Sequence, residues 1–343
     1  MTAPSLSIVV PCYNEEACLD ELHRRLTGAA RTVAAESYEI VLVNDGSRDR
    51  SWAMMADIAA RDPHVVAINL SRNHGHQLAL TAGLDLCSGE RILIIDADLQ
   101  DPPELLADMI AEMERQQADV VYAVRRARAG ETAFKLWTAN LFYRMLSKLA
   151  DIEIPRDVGD FRLMSRRALD AFLSLPEQAR FIRGMVAWVG FRQVPIVYDR
   201  AERHAGSTKY PFSKMLRFAL DAVTGFSTAP LRFASHFGLW LVGASILLLL
   251  YIAFGWLSGS AIQGWTSLML VVVVLGAVQM FVLGMIGEYL GRLYIESKRR
   301  PLYIVSDIAG HAGGRPSLGH VAHEAEAMAT SESPGGSGTL PIA

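Results

Sequence analysis

Cysteine is scarce. The 343 residues hold three (Cys12, Cys18, Cys87), with no Cys-x-x-Cys pair among them. That count does not support a disulfide framework or a zinc cluster, and a reducing compartment is the simpler setting. An excess of one charge is missing too. Lys+Arg 33 against Asp+Glu 36 gives net −3, which excludes a strongly basic nucleic-acid binder by bulk charge but leaves a local basic face open. No Gly-x-x-x-x-Gly-Lys-[Ser/Thr] occurs, so a P-loop NTPase is unsupported. No Gly-x-Gly-x-x-Gly follows the first predicted strand, so a dinucleotide oxidoreductase is unsupported as well. The first apolar run is only Leu6 to Val10, without a basic stretch before it, so no signal peptide is expected. Charged residues are 20% and hydrophobic residues 51%, which is not the composition of a disordered chain and suffices for a sizeable core.

The longest absence is of charge. From Phe233 to Gly287 there is no Lys, Arg, Asp or Glu, while ~20 apolar residues suffice to cross a bilayer. A polar turn at 257–264 divides the stretch. Two transmembrane helices are predicted, Ala234 to Trp256 and Trp265 to Ile286; the competing reading is a buried helical hairpin. Arg217 and Arg232 precede the stretch, Arg292, Lys298, Arg299 and Arg300 follow it, and the turn has no basic residue. The positive-inside rule then puts both flanks in the cytoplasm, for a multi-pass protein of the inner (plasma) membrane. The apolar residues of 211–230 recur at helical spacing (Phe212, Met215, Leu216, Ala219). This predicts an amphipathic helix, lying in the membrane interface or packed on the soluble domain. The organisation expected is a cytoplasmic domain at 1–210, that helix, the two spans within 231–290, a juxtamembrane segment at 291–310 and a disordered tail at 311–343.

The first 125 residues alternate apolar runs with helical patterns. Strands are predicted at Leu6–Val10, Glu39–Val43, Val65–Leu70, Arg91–Ile95 and Val120–Val124. Helices are predicted at Ala17–Ala35, Ser51–Arg61, Gln77–Leu86 and Pro103–Gln116. This order implies an α/β fold: a mostly parallel sheet with helices on both faces, and ligands at the carboxyl ends of the strands. The residues following each strand are polar: Tyr13, Asn14, Glu15; Asp45, Gly46, Ser47; Asn73, His74, His76; Asp96, Asp98, Gln100; Arg125, Arg128. Each loop alone reads as turn chemistry; five at one sheet edge read as a site. Asp96-x-Asp98 is the sharpest signal. Two carboxylates converging after a buried strand suit a hard divalent ion, Mg²⁺ or Mn²⁺, with Gln100 adding an oxygen and phosphate oxygens completing the shell. Asp45 either accepts hydrogen bonds from a base or ribose or simply forms the turn. His74 and His76 read as loop or donor-site residues.

Taken in order, Pro11-x-Tyr13-Asn14-Glu15, Asp45-Gly46-Ser47, Arg72-Asn73-x-Gly75, Asp96-x-Asp98-x-Gln100-x-Pro102-Pro103 and Gly159-Asp160-Phe161-Arg162 resemble family 2 glycosyltransferases of the GT-A fold. The nearest branch is the polyisoprenyl-phosphate glycosyltransferases, which include dolichol-phosphate mannose synthases and bacterial bactoprenol glucosyltransferases. The likeness runs from about residue 6 to 305 and includes the two C-terminal spans. It implies that Pro11, Tyr13, Asn14, Glu15, Asp45, Asn73, Asp96 and Arg125 bind a nucleotide-sugar donor, and that Asp96, Asp98 and Gln100 hold the metal. Arg128, Arg203, Ser207, Thr208 and Lys209 would bind the acceptor phosphate. The usual Gly-x-Ser-Lys-Tyr is altered here: Thr208 stands in the Ser slot, so the hydroxyl that contacts phosphate is either Ser207 or Thr208. The processive signature Gln-x-x-Arg-Trp is absent.

The function the resemblance implies is inverting transfer of a sugar to the phosphate of a polyprenyl phosphate. The donor would be a UDP-hexose, and the enzyme a homo-oligomer, tetrameric among bacterial members. Asp98 and Asp160 are the catalytic candidates. A lipid phosphate is largely ionised near neutrality, so Asp160 is expected to orient or to act as a modest base; its alternative is a structural pair with Arg162 or another arginine. Two other functions stay open, a glycosyltransferase with a soluble or protein acceptor and a non-catalytic nucleotide-sugar sensor.

Overall fold

The computed structural model describes residues 3–125, 158–199 and 264–310, together with scattered positions between 231 and 254. The chain divides into two compact units, one of residues 1–111, 163–166 and 303–343, the other of residues 112–162 and 167–302.

The first unit carries β1 (Leu6–Cys12), α1 (Leu19–Ala34), β2 (Tyr38–Asn44), α2 (Ser51–Arg61), β3 (Val65–Leu70), α3 (His76–Leu86) and β4 (Arg91–Ile94). A 3-10 turn, Pro103–Leu105, leads into α4 (Leu106–Gln116). β1 pairs in parallel with both β2 and β4, and β2 pairs in parallel with β3. Every residue of β1 and β2 is buried. Both strands are covered on both faces, and so their sequences read as near-continuous Val/Ile/Leu runs. Ser7 and Glu39 within them satisfy each other: Ser7 Oγ donates to Glu39 Oε1 at 2.7 Å, and the Ser88 amide donates to the same oxygen at 2.6 Å. An unpaired carboxylate at that depth would be costly. The expected elements are present, with strand ends moved by at most two residues.

The remaining strand of this unit was not foreseen. β8 (Val305–Ala309) pairs antiparallel with β3. It lies within the segment expected to be a plain juxtamembrane connection. The Ser71 amide donates to Ile304 O at 2.9 Å, and Tyr303 Oη donates to Asp85 Oδ2 at 2.8 Å.

The second unit holds β5 (Val120–Arg125), most of β6 (Val158–Ser165), α5 (Arg166–Leu173), α6 (Ile182–Val189), β7 (Gln193–Tyr198) and the long helix α7 (Trp265–Ser297). β5 pairs in parallel with β7 and is flanked on its other side by β6. α7 has 33 residues, about 50 Å at 1.5 Å per residue, and exceeds the ~30 Å of a hydrocarbon core. Within it Val274–Ser297 is the one stretch among the described residues long and apolar enough to cross a membrane. Leu268, Met280 and Leu283 are each at least 60% exposed, the pattern of a helix whose solvent is lipid. The helix continues past Ile286, the expected end of the second span, through Glu288 and Arg292, an i,i+4 pair at 3.3 Å. The first expected span falls largely outside the described residues; its described positions from Leu231 to Phe254 are helical. The amphipathic helix at 211–230 and the tail at 311–343 also lie outside them.

Candidate active site

In the first unit the loops after β1, β2 and β3 are laced together at the carboxyl edge. The Asn14 amide donates to Ser47 Oγ at 3.0 Å and the Glu15 amide to Ser51 Oγ at 2.9 Å. In return the Arg48 amide donates to Asn14 Oδ1 at 2.8 Å. Asn14 can serve both ways because it is left-handed, φ 56°, a conformation that asparagine tolerates better than most residues. Tyr13 between them is 41% exposed. Pro11 instead lies buried inside β1, opposite Val43.

Asp45 closes the next connection. Its carboxylate is 3% exposed and accepts the His74 amide at 2.7 Å and the Gly75 amide at 3.0 Å. Burial lifts its pKa above the usual carboxylate value, with those two amides opposing. Gly46 makes this approach possible. It sits at φ +63°, and a Cβ there would lie 2.5 Å from the Asn73 backbone nitrogen. Asp45 therefore forms the turn between loops, one of its two expected roles. A carboxylate has about four acceptor sites, so this does not exhaust it.

After β4 burial alternates: Ala97 and Leu99 are buried, while Asp96, Asp98 and Gln100 are half-exposed. Leu99 is held at φ 58°, a strain of roughly 1–2 kcal/mol for a side chain of this kind, opposed by burying its isobutyl group to 5% exposure. Asp98 Oδ1 accepts the Gln100 amide at 3.1 Å, and His76 Nε2 lies 3.6 Å from Asp96 Oδ1. The field of these groups is felt by the buried thiols nearby. Burial first, then Glu15 and Asp96, push Cys12 up; burial, Glu15 and Asp98 do the same to Cys18.

Among the described residues no three His, Cys, Asp or Glu side chains form a metal cluster. The donor set nevertheless fits one class of ion. Mg²⁺ and Mn²⁺ are commonly held by one or two carboxylates, with substrate phosphates and water filling the octahedron. Asp96 and Asp98 are hard oxygen donors of that number, and the Gln100 side chain carries a further carbonyl oxygen.

The second unit contains the other catalytic candidate. Asp160, on β6, is 2% exposed. Arg183 Nε donates to its Oδ1 at 2.9 Å and Arg183 Nη2 to its Oδ2 at 3.2 Å, a bidentate fork. Arg162 lies at 3.9 Å and spends its donors on the Asp160 and Gly159 carbonyls. Burial pulls the Arg162 guanidinium down to about 10, with Asp160 resisting and Arg183 assisting. Arg125 sits against Gly159, where a Cβ would meet its Nη2 at 2.9 Å, and its Nε donates to Tyr198 Oη at 3.4 Å. Asp160 is thus paired with an arginine, and the partner is Arg183. Arg183 escaped the sequence reading, although it is the one charge in the apolar helix Ile182–Val189. Tyr198 had no such signal. Arg128, Arg203, Ser207, Thr208 and Lys209 lie outside the described residues.

Comparison with known proteins shows the family. Residues 7–173 match the family described as glycosyl transferase family 2. An uncharacterized glycosyltransferase, YkcC of Bacillus subtilis (strain 168), is 48% identical over 305 residues, 89% of this chain and 94% of that one. The bactoprenol glucosyl transferase of Shigella phage SfV is 39% identical over 303 residues, 88% of this chain and 98% of that one. Among solved structures, a glucosyl-3-phosphoglycerate synthase from Mycobacterium tuberculosis is similar at 18% identity and TM-score 0.43, covering 64% of this chain and 78% of that one. With a GT-A-like α/β fold, loops of this composition and relatives matched over nearly their whole length, the chain belongs to glycosyl transferase family 2 and is a glycosyltransferase.

Proposed function

We propose that this glycosyltransferase moves a hexose, with inversion, from a uridine diphosphate sugar to the phosphate of a membrane polyprenyl phosphate. The observation carrying the reading is the 39% identity to a bactoprenol glucosyl transferase over 98% of that protein's length. Attachment through α7 supports it, because a polyprenyl chain is held in the bilayer at ~0.8 kcal/mol per buried CH₂ and the enzyme must come to it. In this reading the chain crosses the membrane twice, with its catalytic residues and C-terminus in the cytoplasm.

The residues divide the work by charge. The interlocked loops of Asn14, Glu15 and Asp45 present Tyr13 and hydrogen-bonding groups to the nucleoside. Asp96, Asp98 and Gln100 hold a divalent cation, which stabilises charge gathering on the departing diphosphate. Arg125 contacts donor phosphate. Arg128, Arg203, Lys209 and a hydroxyl of Ser207 or Thr208 take the acceptor phosphate. Asp160 keeps Arg183 and Arg162 aligned and acts at most as a weak base, since both its oxygens already accept from Arg183.

The test uses purified protein, undecaprenyl phosphate, Mn²⁺ or Mg²⁺ and a panel of radiolabelled nucleotide sugars. Label from one donor entering the organic phase, and blocked by EDTA, is the expected result. Label transferred only to water-soluble acceptors would overturn the lipid assignment. Nucleotide binding with no transfer from any donor would favour a sensor.

A further inference from the structure

One row of side chains crosses the carboxyl edge of the first unit's sheet. Cys12 of β1 is opposite Asn44 of β2, Asn44 is opposite Asn69 of β3, and Asn69 is opposite Asp307 of β8. Residues paired in this way present their side chains on the same face. Three of the four are hydrogen-bonded in series. Asn69 Nδ2 donates to Asp307 Oδ2 at 3.2 Å, and Asn44 Nδ2 donates to Asn69 Oδ1 at 2.7 Å. The series then enters the nucleotide loops. The Ser47 amide donates to Asn44 Oδ1 at 3.2 Å, Ser47 Oγ accepts the Asn14 amide at 3.0 Å, and Asn14 Oδ1 accepts the Arg48 amide at 2.8 Å.

This series has a direction. A carboxamide can turn over with little change in shape, so only its partners decide which end is oxygen. The Asp307 carboxylate accepts and cannot donate. It therefore takes the Asn69 NH₂, which leaves Asn69 Oδ1 for Asn44, which in turn leaves Asn44 Oδ1 for the Ser47 amide. Asn44 is 2% exposed, so water is a poor substitute for a lost partner. Ser306 Oγ donates to the same Asp307 oxygen at 2.9 Å and steadies it. The charged end of the row lies on the strand that follows the long apolar helix, and the other end is the loop carrying Tyr13 and Asn14.

We propose that Asp307 is a positioning residue for the nucleotide site: through Asn69 and Asn44 it fixes Ser47 and Asn14, and it governs donor affinity rather than the chemical step. This rests on the nucleotide-sugar reading above.

The experiment measures UDP binding by calorimetry, with Mn²⁺, on the full chain in detergent. Donor KM and kcat are then measured on the same preparations. Asp307→Ala should weaken UDP about three- to tenfold and raise donor KM by the same factor, the scale of one partly exposed charge-assisted hydrogen bond. Its kcat should stay within about twofold. Asp307→Asn, which keeps an acceptor oxygen, should restore affinity. Asn69→Ser, which breaks the row inside β3, should reproduce the loss and serves if Asp307→Ala does not fold. Tyr303→Phe removes the neighbouring anchor to Asp85 without touching the row and should bind UDP normally. Unchanged UDP affinity in folded Asp307→Ala or Asn69→Ser would overturn the proposal, as would an equal loss in Tyr303→Phe, which would make the effect one of strand docking. Wild-type protein that binds no UDP would remove the nucleotide reading beneath it instead.

Discussion

The fork between Asp160 and Arg183 allows a sharp test of how the second unit is held. Consider Arg183→Met, which keeps the length of the side chain and removes its donors. The Asp160 side chain is 3% exposed and Arg183 35%. Removing one partner of a fully buried pair costs about 3–5 kcal/mol, because a charge is stranded. Here Arg162 remains 3.9 Å away and Arg183 is partly in water, so the expected cost is lower, about 2–3 kcal/mol. For a unit of this size each kcal/mol shifts the melting temperature by about 2–4 °C, giving a fall of about 4–12 °C. The reverse change, Asp160→Asn, also destabilises, since it leaves the buried Arg162 and Arg183 facing each other without their carboxylate.

The double variant decides whether the pair acts as one object. If the fork carries the energy, Asp160→Asn with Arg183→Met should cost less than the sum of the singles by about 1–2 kcal/mol, read by thermal melting in detergent. Single effects that add to within ~0.5 kcal/mol would refute a coupled pair. Kinetics on the same proteins separate holding from chemistry. Arg183→Lys keeps the charge but loses the fork, so it should recover much of the stability and little of the rate if Asp160 acts by aligning guanidinium groups on phosphate. Full recovery of both would reduce the role of the pair to net charge.

Asp98→Ala should abolish transfer while leaving the fold intact, because that side chain is half-exposed; normal turnover in the presence of Mn²⁺ would sink the metal assignment. Gly46→Ala should lower stability by about 2–4 kcal/mol and weaken UDP binding, since a left-handed alanine there also drives its Cβ into the Asn73 backbone; a melting temperature within 1–2 °C of wild type, on the order of 0.5 kcal/mol, would contradict the close approach. Glu104 should contribute to acid sensitivity. Its hydrogen bonds from Arg25, at 2.9 and 2.6 Å, hold its pKa below the ordinary carboxylate value. The unfolded chain therefore takes up the proton first, and stability falls as pH drops through that window. In Glu104→Gln this part of the decline should vanish, as followed by melting curves between about pH 2 and 5.

The first unit was largely legible in the sequence, for a physical reason. Its strands are buried on both faces, so residues such as Ile40, Val41, Leu42 and Val43 form an unbroken apolar run bounded by turn residues. Helices such as α1 have one wet face and show the 3.6 period. The polar loops were visible as departures from that rhythm. What could not be read was pairing at a distance. β8 is short and half-exposed, its polar Ser306 and Asp307 fall on opposite faces, and nothing local marks Val305–Ala309 as a strand until β3 supplies its hydrogen bonds. Arg183 could have been noticed as a lone charge in an apolar helix, but not as the partner of Asp160, 23 residues earlier. The motif after β4 shows the same limit from the other side. Asp96 and Asp98 were evident as a spacing, whereas the inverted Leu99 between Asp98 and Gln100 is a conformation that leucine seldom adopts and the sequence gives no warning of it.

The two sets of carboxylates are managed in opposite ways, and the difference separates their uses. Asp160 lies deep and is met by Arg183 through both oxygens, with Arg162 behind, so its charge is neutralised by the protein itself. That is how a chain stabilises a group it must keep ionised and still. Glu15, Asp96 and Asp98 are half-exposed, and after burial they are the next causes that raise two neighbouring thiols, Glu15 and Asp96 at Cys12, Glu15 and Asp98 at Cys18. His76 Nε2 lies 3.6 Å from Asp96 Oδ1, its side chain 43% exposed. In the proposed reading Asp96 and Asp98, half-exposed on either side of the buried Ala97, are the groups that hold the divalent ion. An ion held there in that reading would bind the folded chain in preference to the unfolded one. Such binding would add about 2.7 kcal/mol of stability at a hundredfold excess over Kd, so the carboxylates proposed to hold the metal would also fasten the folded chain.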